Sequence, residues 1–158
     1  MPLSKFAVTA AVALLAGAVA LAAYAQDVTI TPDPALAGLT HEQAVDKRQA
    51  TMKLNGATLK AAGGLSGAEA VQAAETLIAD FSNLTVLFPE GSDQVPGSEA
   101  LPVIWQNWDT FQGFFTQGVA FATQMKAAAE AGDAAAYGAA VKSIGGLCGQ
   151  CHQQFRAS

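Results

Sequence analysis

Cysteine is nearly absent from this chain, with two among 158 residues, and both fall in the run Cys148-Gly149-Gln150-Cys151-His152. A structural zinc site wants four ligands, usually in two separated pairs, and here only His41 is left outside the run to help complete one. Basic residues are also scarce: 8 Lys and Arg stand against 13 Asp and Glu, a formal net charge of −5 with no basic cluster. That balance disfavours nucleic acid as a partner, while an acidic surface could steer basic redox partners. No segment alternates as a strand should, and no internal repeat is evident. Long apolar runs are missing too, apart from one at the N-terminus.

What is present is concentrated at the other end. C-x-x-C-H is the attachment pattern of a c-type haem, in which two cysteine sulfurs add to the porphyrin vinyl groups and the adjacent histidine binds iron. On a helix, Cys148, Cys151 and His152 stand at i, i+3 and i+4 and project from one face. A thioredoxin-like pair would open a helix after a strand, whereas this motif closes the chain after an alanine-rich stretch. A plain disulfide, or two buried thiols, would leave His152 without a role. The cofactor expected from the motif is one covalent haem c with its iron.

Residues 1–25 read as a secretory signal peptide. Lys5 supplies the charged start, Phe6 to Ala23 is almost wholly apolar, and Ala23-Tyr24-Ala25 fits the small-x-small cleavage rule, which puts cleavage before Gln26. An uncleaved anchor is the alternative, since the run approaches the roughly 20 residues that span a bilayer. The alanine-rich character and the cleavage site favour removal, giving a periplasmic protein free of the membrane. Residues 26–158 then form one domain, long enough for a single core.

Within that domain Thr31-Pro32-Asp33-Pro34 marks an extended entry. The first helix is predicted to start at Thr40, with Gln43 completing a capping box, and to end at Gly63-Gly64. Its inner stripe carries Ala44, Val45, Met52, Leu59 and Ala62, together with Arg48. Ser66 and Glu69 repeat the capping signal before a second helix through Ala70, Ala74, Leu77, Phe81 and Leu84. After a Pro- and Gly-rich break from Pro89 to about Pro102, a third helix is predicted to bear Ile104, Trp108, Phe111, Phe115, Val119 and Ala122 on one face. Gly132 stops it, Asp133 caps the fourth, and the fourth runs through Tyr137, Ala140, Ile144 and Leu147 into the motif. The predicted fold is all-α, an antiparallel up-down-up-down four-helix bundle with the haem inside near one end. The iron's other face must be covered by residues earlier in the chain, and Met52 on the first helix is the natural candidate.

These residues resemble the class II c-type cytochromes, cytochrome c′ and its low-spin relatives, whose fold is itself a standard four-helix bundle. The likeness spans essentially the whole mature chain. It rests on the terminal motif with Phe155-Arg156 after it, the Ala131-Gly132-Asp133 turn, Leu87-Phe88-Pro89, Ile104-Trp105, and Arg48 with Met52. The resemblance implies that Met52 faces the sixth coordination site, that Arg48 lies near a haem propionate, and that Arg156 lies close to the proximal histidine. Met52 could equally fill the core, and Arg156 could be a surface charge. Arg48 on a buried face would be costly without a partner.

If Met52 ligates, the family implies a low-spin electron carrier serving periplasmic redox proteins. If it only blocks the site, the family implies a five-coordinate protein that binds nitric oxide or carbon monoxide. Relatives also form homodimers. The first helix offers no distal histidine and no acid–base pair, so no enzymatic activity is expected.

Overall fold

The computed structural model describes residues 28–157. The signal-peptide reading of residues 1–25 and its cleavage point lie outside the described residues. The chain enters through a short 3-10 turn, Pro34–Leu36, capped by the Asp33 side chain on the Ala35 amide. The Asp33 amide in turn donates to Asn83 Oδ1 (2.8 Å), which ties the entry segment to the bundle.

Four long helices follow: α1 (His41–Ala62), α2 (Gly67–Leu84), α4 (Trp108–Ala131) and α5 (Ala134–Phe155), with the single-turn α3 (Val103–Gln106) set before α4. Among the described residues no helix is long and apolar enough to cross a membrane. Neighbours run antiparallel. Gln112 near the start of α4 donates to the Thr85 carbonyl just past α2, while Lys126 near the end of α4 pairs with Glu75 in the first half of α2. At the other edge Phe155, the last residue of α5, packs its ring 5.1 Å from that of Phe111 in the first turn of α4. α2 and α4 share the largest contact, α5 lies against α4, and α1 lies against α2. α1 and α5 barely meet, so the bundle is open along that seam.

Local signals explain most boundaries. Thr40 Oγ1 accepts from the Gln43 amide and Gln43 Oε1 from the Thr40 amide, the reciprocal box expected there. Gly132 takes φ 67°, a left-handed turn that lets its amide and that of Asp133 return to the last carbonyls of α4, and Asp133 then caps α5 through the Ala136 amide. Two expectations fail. The Ser66 hydroxyl makes no cap bond, because Gly67 opens α2 at φ 55° and the chain arrives from a direction that misses the Glu69 amide. The predicted third helix is broken at Asn107 (φ −128°, ψ 43°), which rotates Trp108 out of the apolar face and leaves it 37% exposed.

The core is built from Leu77, Leu84, Leu87, Ile104, Phe111, Met125 and Ile144, all essentially inaccessible. α4 comes tightly against α2 at Gly118, where a Cβ would sit 2.6 Å from Phe81 Cδ1. Gly118→Ala must therefore push α4 off α2 or force the Phe81 ring out of its well. It is expected to cost about 1–3 kcal/mol, read as a lowered thermal midpoint; an unchanged midpoint would mean that the two helices are not held this close.

A cavity at the seam between the first and last helices

Because α1 and α5 diverge, a cavity of about 720 Å³ opens between them at the end of the bundle where α1 begins and α5 ends. Its size is that of an ordinary cofactor site, roughly 300–1,000 Å³. α1 contributes Arg48, Gln49, Met52 and Lys53; α5 and the residue after it contribute Cys151, His152, Phe155 and Arg156. Phe88, Ile104 and Phe111 form the apolar floor. Phe111 stands edge-on to both Phe88 and Phe155, at 4.8 and 5.1 Å between centroids, so the floor is a rigid aromatic wedge. The connection from Pro89 to Pro102 passes over the mouth and lends Gly97, Glu99 and Ala100.

Five of the six residues singled out from sequence meet here: Arg48, Met52, Cys151, His152 and Arg156. Cys148, one turn before Cys151, is partly buried and packs against the core instead of lining the cavity. Both thiols are free. Burial pushes the Cys151 thiol up to about 12, helped by Cys148, and pushes Cys148 up as well. Such surroundings penalise a metal thiolate but are indifferent to a thioether, which carries no charge. Burial also holds the His152 imidazole below its ordinary value; Arg156 adds to this and Glu99 opposes it. A lowered imidazole value means a neutral ring at pH 7, with a lone pair free for a metal. This donor set of two protonated thiols and one neutral imidazole fits a covalently held haem.

Arg48 is 4% exposed and is satisfied within the protein. One Nη group donates to the Leu87 carbonyl (3.2 Å) and Ser92 Oγ (2.7 Å), the other to the Ser92 carbonyl (3.2 Å) and Ser98 Oγ (2.8 Å). The guanidinium carbon lies 4.5 Å over the Phe88 ring. Burial pushes its pKa down to about 10, with Asp93 pulling the other way, so it stays charged at neutral pH. Arg156 is exposed and reaches Glu99 Oε2 at 3.9 Å, while its backbone forms an antiparallel bridge with Ala100. Sequence reasoning missed the lining role of Gln49, Lys53, Gly97, Glu99 and Ala100. It also missed the two serines, which stand in a connection with no periodicity to mark them.

Known proteins resemble this chain in sequence and in fold. A family model described as Cytochrome C′ matches residues 43–156. A cytochrome c′ of Pararhodospirillum photometricum is 33% identical over 121 residues, which is 73% of this chain and 97% of that protein. The crystal structure of cytochrome c′ from Thermochromatium tepidum aligns with a TM-score of 0.70 at 25% identity, covering 76% of this chain and 98% of that one. A nitric oxide complex of a mutant cytochrome c′ from Alcaligenes xylosoxidans aligns at 0.66 and 25% identity, covering 75% and 98%.

Proposed function

Since this chain belongs to the cytochrome c′ family and its cofactor is haem c, we propose that it is a periplasmic electron carrier whose iron sits between His152 and Met52. One observation carries the reading: His152 on α5 and Met52 on α1 line one cavity from two helices that scarcely touch, which leaves a slot for a flat macrocycle between them. When bound, haem would supply a one-electron iron couple. Cys148 and Cys151 would hold it through thioethers, and His152 would present a neutral nitrogen to its iron. Met52 would bring a soft sulfur to the opposite side, a ligand type that raises haem potential. Phe88, Ile104 and Phe111 make the inner wall of the cavity apolar, and Arg48 keeps a positive charge beside it at neutral pH. The reading assigns no catalytic residue, and its partners are other redox proteins outside the cytoplasmic membrane.

A second reading has its own support. The Alcaligenes neighbour is a nitric oxide complex, and the cavity floor here is apolar, which suits an uncharged diatomic gas. Optical and electron paramagnetic resonance spectra of the mature protein, ferric and ferrous, with and without carbon monoxide, separate the two. A low-spin ferric signal with a methionine-to-iron charge-transfer band is expected. A high-spin signal with ready carbon monoxide binding would replace electron transfer by gas binding.

A further inference from the structure

The two helices that face each other across the cavity are joined through a third element. The segment from Leu87 to Leu101 contains no helix or strand and passes through two left-handed glycines, Gly91 (φ 84°) and Gly97 (φ 83°). Its own backbone bonds are local turns, Ser92 to Pro89, Gln94 to Gly91 and Ser98 to Val95, so its position against the bundle is set by what grips it. On the α1 side the grip is Arg48, with its four bonds to Leu87, Ser92 and Ser98, and Gln49, whose Nε2 donates to the Gly97 carbonyl at 2.8 Å. On the α5 side the Leu101 amide donates to the Phe155 carbonyl (3.0 Å) and the Ala157 amide to the Glu99 carbonyl (2.8 Å), flanking the Ala100–Arg156 bridge. The segment is a strap pinned to α1 at one side of the seam and to the end of α5 at the other. Direct contact between α1 and α5 is slight, so their separation is fixed by the packing of α1 on α2, α2 on α4 and α4 on α5 together with the strap, the one element among the described residues bonded to both.

Arg48 and Met52 are four residues apart, one turn, on the same face of α1. We propose that Arg48 is the positioning residue of the distal side: by clamping the strap to α1 it sets how far Met52 stands from His152, and so whether the sixth position is occupied. This deepens the function proposed above and rests on Met52 facing the iron. It also accounts for a buried guanidinium that spends four donor bonds on carbonyls and hydroxyls. The planar fork holds four acceptors here, whereas an ammonium has three donors at a single point and cannot span them all, so lysine is a poor substitute.

The test uses the haem-loaded protein with Arg48→Lys, Arg48→Gln, Ser98→Ala, Gln49→Ala and Met52→Ala, and also Arg48→Lys and Ser98→Ala each combined with Met52→Ala. The readouts are the ferrous carbon monoxide dissociation constant, the ferric high-spin fraction, and the thermal midpoint. Arg48→Lys is expected to change carbon monoxide affinity about fivefold or more and to move the spin balance, with Ser98→Ala and Gln49→Ala acting in the same direction by less. In the Met52→Ala background the Arg48 and Ser98 effects should vanish, because they act through the residue already removed.

Lowered midpoints with wild-type affinity and spin state would reduce Arg48 to a structural residue. An effect that persists undiminished without Met52 would overturn the proposal as well. Should the buried Arg48 variants fail to fold, Gln49→Ala, which removes the bond to the Gly97 carbonyl, and Ser98→Ala, which removes the Arg48 bond and the bond Ser98 Oγ accepts from the Ala100 amide, decide the same question, with Ser98→Ala also read in the Met52→Ala background. Met52→Ala alone separates the two levels. If it changes affinity while the strap variants do not, only this proposal fails; if it changes nothing, the distal assignment of Met52 fails and takes the proposal with it.

Discussion

Replacing Cys148 and Cys151 together by alanine is expected to turn a haem that acidified organic solvent leaves on the polypeptide into one that the solvent removes completely. Acid protonates an imidazole and so would break the proposed bond from His152 to the iron, but it does not cleave a carbon–sulfur bond. Retention in acid therefore reports the thioethers alone. Either single replacement should keep the haem on the chain, because one bond suffices. The double variant loses the tether along with some packing, since Cys151 is buried and Cys148 lies against the core. A haem that can dissociate stabilises the fold only as ligand concentration exceeds its dissociation constant, so the double variant should also melt at a midpoint that depends on added haem. Complete extraction from the unmodified protein would defeat covalent attachment, and retention by the double variant would place the attachment elsewhere.

The parts of the structure that were legible in the sequence are the local ones. The capping box of Thr40 and Gln43 and the Gly132-Asp133 turn involve residues within a few positions of one another, and both form as read. The spacing of Cys148, Cys151 and His152 is likewise local, and the helix beneath them is there. Trp108 shows where pattern fails: side-chain periodicity runs straight through Asn107, while the break is a backbone event whose side chain folds back on the Val103 carbonyl. Ser66 looked like the first cap but lacked the approach direction that makes one.

Arg48 marks a deeper limit. Its burial was expected, but its acceptors on Ser92 and Ser98 lie 44 and 50 residues away in a stretch without period, so only the tertiary structure reveals them. The cavity itself was visible as a set of residues but not as a space. It exists because α1 and α5 diverge, and no sequence pattern records the angle between two helices.

Met52→Ala is expected to raise ferrous carbon monoxide affinity by about tenfold or more, a change of about 1.4 kcal/mol in binding, and to convert a low-spin ferric signal to high spin. Met52 is the soft donor that α1 gives the cavity wall, and a methyl group has neither the sulfur nor the reach to replace it. The reduction potential should fall, since methionine ligation favours the ferrous state. Stability should survive, because Met52 is only partly buried and its truncation should cost less than the roughly 2–5 kcal/mol of a fully enclosed methionine. The three readouts separate the roles one side chain can play here. Spin state, potential and affinity moving together mark a ligand, and with it electron transfer. Affinity rising alone from a protein already high-spin marks a steric cover over a gas site. If none of them moves, Met52 belongs to the packing of α1, and the distal wall must be sought among the other residues that α1 turns toward the seam.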